Sequence, residues 1–172
     1  MAVLPIIKYP DKVLLKKTLI VKKFDDELQD LIDNMIETMY AAPGVGLAAN
    51  QVGVSKQVVV IDASTEDEDI QLITLINPVL VFSEGEIEME EGCLSLPGYY
   101  TVVRRFERVI VKALDRESNE IEVEGTGLLS RALQHEIDHL NGALLIDRIG
   151  RIRKDFFKKR FLKERKKEKV GP

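Results

Sequence analysis

The chain has 172 residues, of which 45% are hydrophobic and 31% charged, and its formal net charge is −4. That composition excludes a disordered or fibrous chain and fits one globular unit that buries roughly two thirds of its unfolded surface. A single cysteine excludes an internal disulfide framework and favours a reducing compartment.

The first residues, MAVLPIIKYPDKVLL, lack the basic start and long apolar run of a signal peptide. No stretch approaches the roughly 20 apolar residues of a membrane span, so the cytoplasm is the expected location. The first clear element is a helix over 25–42, DDELQDLIDNMIETMYAA. Leu28, Leu31, Ile32, Met35, Ile36, Met39 and Tyr40 form one apolar stripe, Asp25 or Asp26 can cap it, and APG at 42–44 stops it. Segments 57–62, 72–82, 107–115 and 119–125 are dense in β-branched residues and read as strands. DRESNE joins the last two as a hairpin turn. A second helix runs over about 127–142, GLLSRALQHEIDHLNG, with Gly142 as its stop. The remainder, 151–172, reads as a basic amphipathic helix carrying Ile152, Phe156, Phe157 and Phe161. It holds 11 of the 25 basic residues and 3 of the 29 acidic ones, a formal +8 against −12 for residues 1–150. This order of elements favours α+β over alternating βαβ units. It also suggests a body over 1–150 with a basic tail over 151–172 appended to it.

HEIDH, residues 135–139, carries the chemistry. On a helix, positions i and i+4 share a face about 5–6 Å apart at Cβ, so His135 and His139 can bind one metal together. Glu136 lies about 100° around the axis, within reach of a metal's water without being a ligand. The pattern also arises on ordinary helix surfaces. Here, however, it holds both histidines of the chain, and Leu128 and Ala132 align with them, so the pair faces an interior. A catalytic metal usually takes three protein ligands. With no third histidine, the third is either Cys93 or a downstream acid: Asp147, Asp155, Glu164 or Glu168. Cys93 sits in a Gly- and Pro-rich segment that reads as a shaped loop, and thiolate binds first-row metals tightly. A lone cysteine is otherwise commonly a small buried hydrophobe.

PGVGLAANQ, 43–51, also fits G-x-G-x-x-A through Gly44, Gly46 and Ala49. A helix rather than a strand precedes it, which argues against dinucleotide binding. Close approach of backbone to a ligand, with Gln51 offering an amide donor, is the better reading. Two other classes stay open on the residues alone. One is a general HExxH metalloprotease with an acidic third ligand; the other is a ribosome- or RNA-binding module with a structural metal.

Together GVGLAANQ, EGCLSLP and QHEIDHLNG resemble, in order and spacing, the three signature motifs of peptide deformylases. These enzymes remove the formyl group from the N-terminal formyl-methionine of new bacterial and organellar polypeptides. YPDKVLLKK, IETMYAAPGVGLAA, LINPVL and VKALDRE follow the same family pattern, so the resemblance covers most of residues 5–150. It implies mostly antiparallel β-sheets around a central helix carrying HEIDH. It implies Cys93, His135 and His139 as metal ligands and Glu136 as the catalytic glutamate. Gln51 and the Leu94 N–H match the groups that stabilise the oxyanion, while Val45, Gly46 and Gly92 match those that hold the substrate backbone and line the methionine pocket. The implied metal is Fe²⁺, with Zn²⁺ or another divalent ion able to replace it. The implied partners are formyl-methionyl nascent peptides and, through the basic tail, the ribosome; neither DNA nor a membrane is expected. Asn50 and the tail depart from the usual pattern, and the Asn50 change is expected to affect only fine substrate preference.

Overall fold

The structure is a computed structural model that describes residues 1–69 and 71–169, with side chains up to residue 167. Helix α1, Asp26–Ala41, starts where Asp25 accepts a hydrogen bond from the Leu28 N–H at 3.0 Å. Most of its expected stripe is inside. Leu28, Ile32, Met35 and Met39 are fully buried, each full burial stabilising by roughly 1.5–3 kcal/mol. Leu31 and Ile36 are half-buried, whereas Tyr40 is exposed and donates to Asp62.

Five strands form one antiparallel sheet in the order β1-β2-β3-β6-β7. They are β1 (Gly46–Ala48), β2 (Val58–Ile61), β3 (Ile73–Glu84), β6 (Arg108–Leu114) and β7 (Glu120–Thr126). β2 shows why the run VVVI lacks polar alternation. Val58 and Val60 pack toward α1, whereas Val59 and Ile61 pack toward the second helix, α2 (Gly127–Leu140). A strand covered on both faces has no solvent side. The turn between β6 and β7 is held by Asp115, whose carboxylate accepts from the Glu117 and Asn119 N–H groups.

The remaining strands, β4 (Ile87–Cys93) and β5 (Leu96–Arg105), form a separate hairpin. Cys93 is therefore not in a free loop but at the end of a strand, beside a register shift between Gly92 and Cys93. The hairpin buries Leu96 and Val103 against Leu144, Leu145, Ile146 and Ile149. Helix α3, Arg151–Lys169, joins that cluster through Phe157, which is buried, and Phe161. The tail thus packs onto the body through Phe157 and Phe161, whereas Ile152 and Phe156, expected on the same face, are exposed. Residues 170–172 of the expected tail lie outside the described residues. Among the described residues, no helix is long and apolar enough to cross a membrane.

Candidate metal centre and active site

α2 brings His135 and His139 to one face, and the β4–β5 hairpin delivers Cys93 to the same point. Cys93 Sγ lies 3.3 Å from His139 Nε2, which lies 3.1 Å from His135 Nε2. The three donor atoms fall within 4.8 Å of one another. A metal–sulfur bond of about 2.3 Å and metal–nitrogen bonds of about 2.0–2.1 Å match such a set around one ion. Electrostatics agree. Burial opposes charge on His135, yet Cys93, Glu91 and Glu136 outweigh it and raise its pKa well above the ordinary value. The pocket attracts a cation. Burial also lowers the pKa of His139 well below the usual range, which keeps a lone pair available. The donors fit a divalent metal.

Among the described residues no downstream acid joins the group, and Asp155 is exposed. Asp147 accepts from the Leu144 N–H at 2.8 Å and pairs with Lys154, while Glu164 pairs with Arg160. Glu168 lies outside the described side chains. Among the described residues, Cys93, His135 and His139 form the one group able to hold a metal.

Glu136 is buried beside the donors, and its Oε2 has no hydrogen-bond partner. Burial, the largest cause, raises its pKa to about 7; His135 and Arg105 oppose that shift. Gly46 makes this placement possible. A Cβ there would lie 2.8 Å from Glu136 Oε1 and 2.9 Å from its Cγ, so any larger residue would push the carboxylate away. At PGVGLAANQ it is the Glu136 side chain that comes close to the Gly46 backbone. Gln51 accepts from the Ala48 N–H through Oε1 at 3.0 Å, and its Nε2 donates to Ser95 Oγ at 3.1 Å. Nε2 is 3.8 Å from Cys93 Sγ.

A cavity of about 690 Å³ opens over these groups. Val45, Gly46, Gln51, Gly92, Cys93 and Leu94 line one side, and Leu128, Ala132, His135 and Glu136 the other. Every expected site residue except His139 reaches the cavity; His139 lies beneath it at 1% exposure. Gly92 has a second reason to be glycine, since a Cβ would meet the Tyr100 ring at 2.5 Å.

Sequence reasoning missed what supports the ligands. Glu91 Oε1 lies 3.1 Å from His135 Nδ1, so Nδ1–H donates to the carboxylate and Nε2 turns to the metal position. Arg105 clamps Glu91 with two bonds of 3.0 Å and reaches Asp138 at 2.6 Å. Arg148 closes the chain on Asp138 at 2.6 and 3.1 Å. Burial opposes ionisation of Glu91, but its bonds to His135 and Arg105 hold its pKa down at about 2. An acid two residues before Cys93 was a usable signal. Arg105, from the far end of β5, carried none.

Asn50 does not line the cavity but is fully buried and donates to the His139 carbonyl at 2.6 Å, which ties the segment after β1 to the end of α2.

The comparisons point the same way. The profile of the polypeptide deformylase family matches residues 3–155. The peptide deformylase of Thermodesulfovibrio yellowstonii is 60% identical over 161 residues, covering 94% of this chain and 98% of the relative. A crystal structure of a Legionella pneumophila peptide deformylase superposes with a TM-score of 0.87 at 44% identity, covering 99% of this chain and all of that one. The Ehrlichia chaffeensis enzyme in complex with actinonin gives 0.87 at 40% identity, covering 95% and 98%. The chain belongs to the polypeptide deformylase family.

Proposed function

We propose a division of labour for these residues in removing the N-formyl group from the formyl-methionine of newly made polypeptides, the reaction this chain catalyses. Cys93, His135 and His139 hold one divalent metal. Fe²⁺ is the ion assigned to them, and a thiolate–imidazole set also suits Zn²⁺, so availability decides between them. When bound, the metal acts as a Lewis acid and brings the pKa of a water toward neutrality.

Glu136 is the proton carrier. A carboxyl held near 7 exchanges a proton in either direction at neutral pH. Its unpartnered Oε2 accepts the proton of the attacking water, and the same group later protonates the leaving amine. Gln51 Nε2 uses one hydrogen on Ser95; the other meets only the long Cys93 contact and is free to turn to the oxygen that becomes negative. The Leu94 N–H is the second donor. Loss of one such donor typically costs on the order of 3 kcal/mol of transition-state stabilisation. Val45, Gly46 and Gly92 hold the substrate backbone and shape the methionine pocket. Residues 1–150 carry this chemistry.

What supports the assignment most is the convergence of three ligand atoms beside a buried, unpartnered Glu136 carboxylate. The test is formate release from a formyl-Met peptide by anaerobically purified protein, with elemental analysis of the same sample. Turnover with about one Fe²⁺ per chain is expected. Turnover without stoichiometric metal would refute it.

The chain works in the cytoplasm, where new polypeptides emerge, and the outward face of α3 contacts the ribosome. The exposed basic residues Lys158, Lys159 and Lys163 support that contact. Reversing the three to Glu is expected to abolish salt-sensitive ribosome association while formyl-peptide turnover persists. Unchanged association would refute it.

A further inference from the structure

A second cavity, of about 850 Å³, lies between α3 and the chain near residues 8–12. Its walls are aromatic: Tyr9, Tyr99, Phe157 and Phe161. Tyr9 meets Phe157 and Phe161 edge-on with centroids 5.5 and 5.1 Å apart, and Tyr99 meets Phe157 at 4.5 Å. These edge-on ring contacts pack the cavity wall. The α3 residues that face it, Phe157, Arg160, Phe161, Glu164 and Arg165, recur at helical spacing, so this is one face of α3.

Two observations say what the cavity takes. First, it adjoins the active-site cavity, since Lys8, Leu96, Pro97 and Gly98 line both. A chain leaving the metal centre over this shared ridge reaches the second cavity next. Second, it is basic. Lys8, Lys12, Arg160 and Arg165 border it against Asp11 and Glu164. Arg160 is paired with Glu164, and the Asp11 carboxylate caps the Val13 N–H. Among the described residues, Lys12 and Arg165 have no ion-pair partner, and both are exposed.

We propose that this cavity is a distal subsite for the downstream part of the formylated nascent chain, favouring a segment that joins acidic residues to an aromatic one. The acids meet Lys12 and Arg165 at the rim, and the aromatic side chain packs among Tyr9, Tyr99 and Phe161. The inference rests on the deformylase reading above. It differs from ribosome contact, which uses the opposite, outward face of α3.

The metal-loaded full chain is assayed on three peptides: formyl-Met-Ala-Ser, the same tripeptide extended by Ala-Asp-Phe-Asp-Ala, and the matched extension Ala-Lys-Phe-Lys-Ala. For the acidic octapeptide, kcat/KM is expected to exceed that of the tripeptide by about 2–10-fold, the range that two partly screened charge contacts supply. The gain should shrink in high salt. The lysine peptide should show no gain. In the double variant Lys12→Glu/Arg165→Glu the order of the two octapeptides should reverse, with tripeptide turnover unchanged. Phe161→Ala should raise KM for the acidic octapeptide alone, which keeps the test alive if the double variant folds poorly. Equal kcat/KM for all three peptides, or an acidic preference that survives the charge reversal, overturns the subsite. Failure to turn over the tripeptide would instead overturn the deformylase assignment beneath it.

Discussion

Replacing Arg105 by Leu should damage this protein more than any other surface-remote substitution near the site. Arg105, Glu91 and Asp138 are 5%, 7% and 6% exposed, so the change leaves two buried carboxylates without their shared cation. Removing one partner of a buried ion pair typically costs about 3–5 kcal/mol. Glu91 is held at about 2 instead of 4.5 by His135 and Arg105 together, against the burial that opposes them, and the variant loses the Arg105 share of that hold. In urea, with a slope of about 2 kcal/mol per M, the midpoint at pH 7 should fall by roughly 1.5–2.5 M at unchanged slope. The sign with pH follows. In the native protein Glu91 has a depressed pKa, so its contribution is fully present above about 4.5 and is lost as pH falls toward 2. In the variant the buried Glu91 loses Arg105 and its pKa rises, while Asp138 keeps its bonds to Arg148. The variant's deficit should therefore shrink as pH drops from 7 to 5. A midpoint within about 0.3 M of wild type, or a deficit that grows on acidification, would refute the role given to this network.

Other outcomes follow from single contacts. Gly46→Ala places a methyl against Glu136, so kcat should fall at least tenfold with metal content retained; normal kcat would contradict that close approach. Asn50→Ala removes the donor to the His139 carbonyl and should lower stability by about 1–2 kcal/mol in urea unfolding, with no change in preference for the residue after methionine. Cys93→Ala should abolish stoichiometric metal binding by elemental analysis, whereas an acidic third ligand would leave it intact. Gln51→Ala should cost on the order of 3 kcal/mol in kcat/KM, about a hundredfold, with metal bound.

Much of the fold was legible because it obeys short periods. The α1 stripe, the β-branched runs and the HEIDH helix fall within one or two residues of their expected bounds. Leu128 and Ala132 do face the same cavity as His135. The β4–β5 hairpin was not legible. IEMEEGC is rich in Glu, which strands disfavour, and LPGYY carries Pro97 and Gly98 near its start, so the segment reads as a loop. The hairpin forms through tertiary packing of Leu96 and Val103. The same cause hid the support of the site. Arg105 meets Glu91 and Asp138 only because the hairpin lies across α2, and nothing local to VVRR announces it. The place of Asn50 was hidden for a related reason: its partner is a helix carbonyl 89 residues away.

The most direct test of the account is Glu136→Ala, with formate release from a formyl-Met peptide and metal content measured on one anaerobic preparation. Glu136 Oε2 is a buried, unpartnered atom, and Glu136 lies outside the Cys93, His135 and His139 group that could hold a metal. The account predicts about one metal per chain, as in wild type, and deformylation reduced by 10² or more. Turnover retained with metal bound would contradict it.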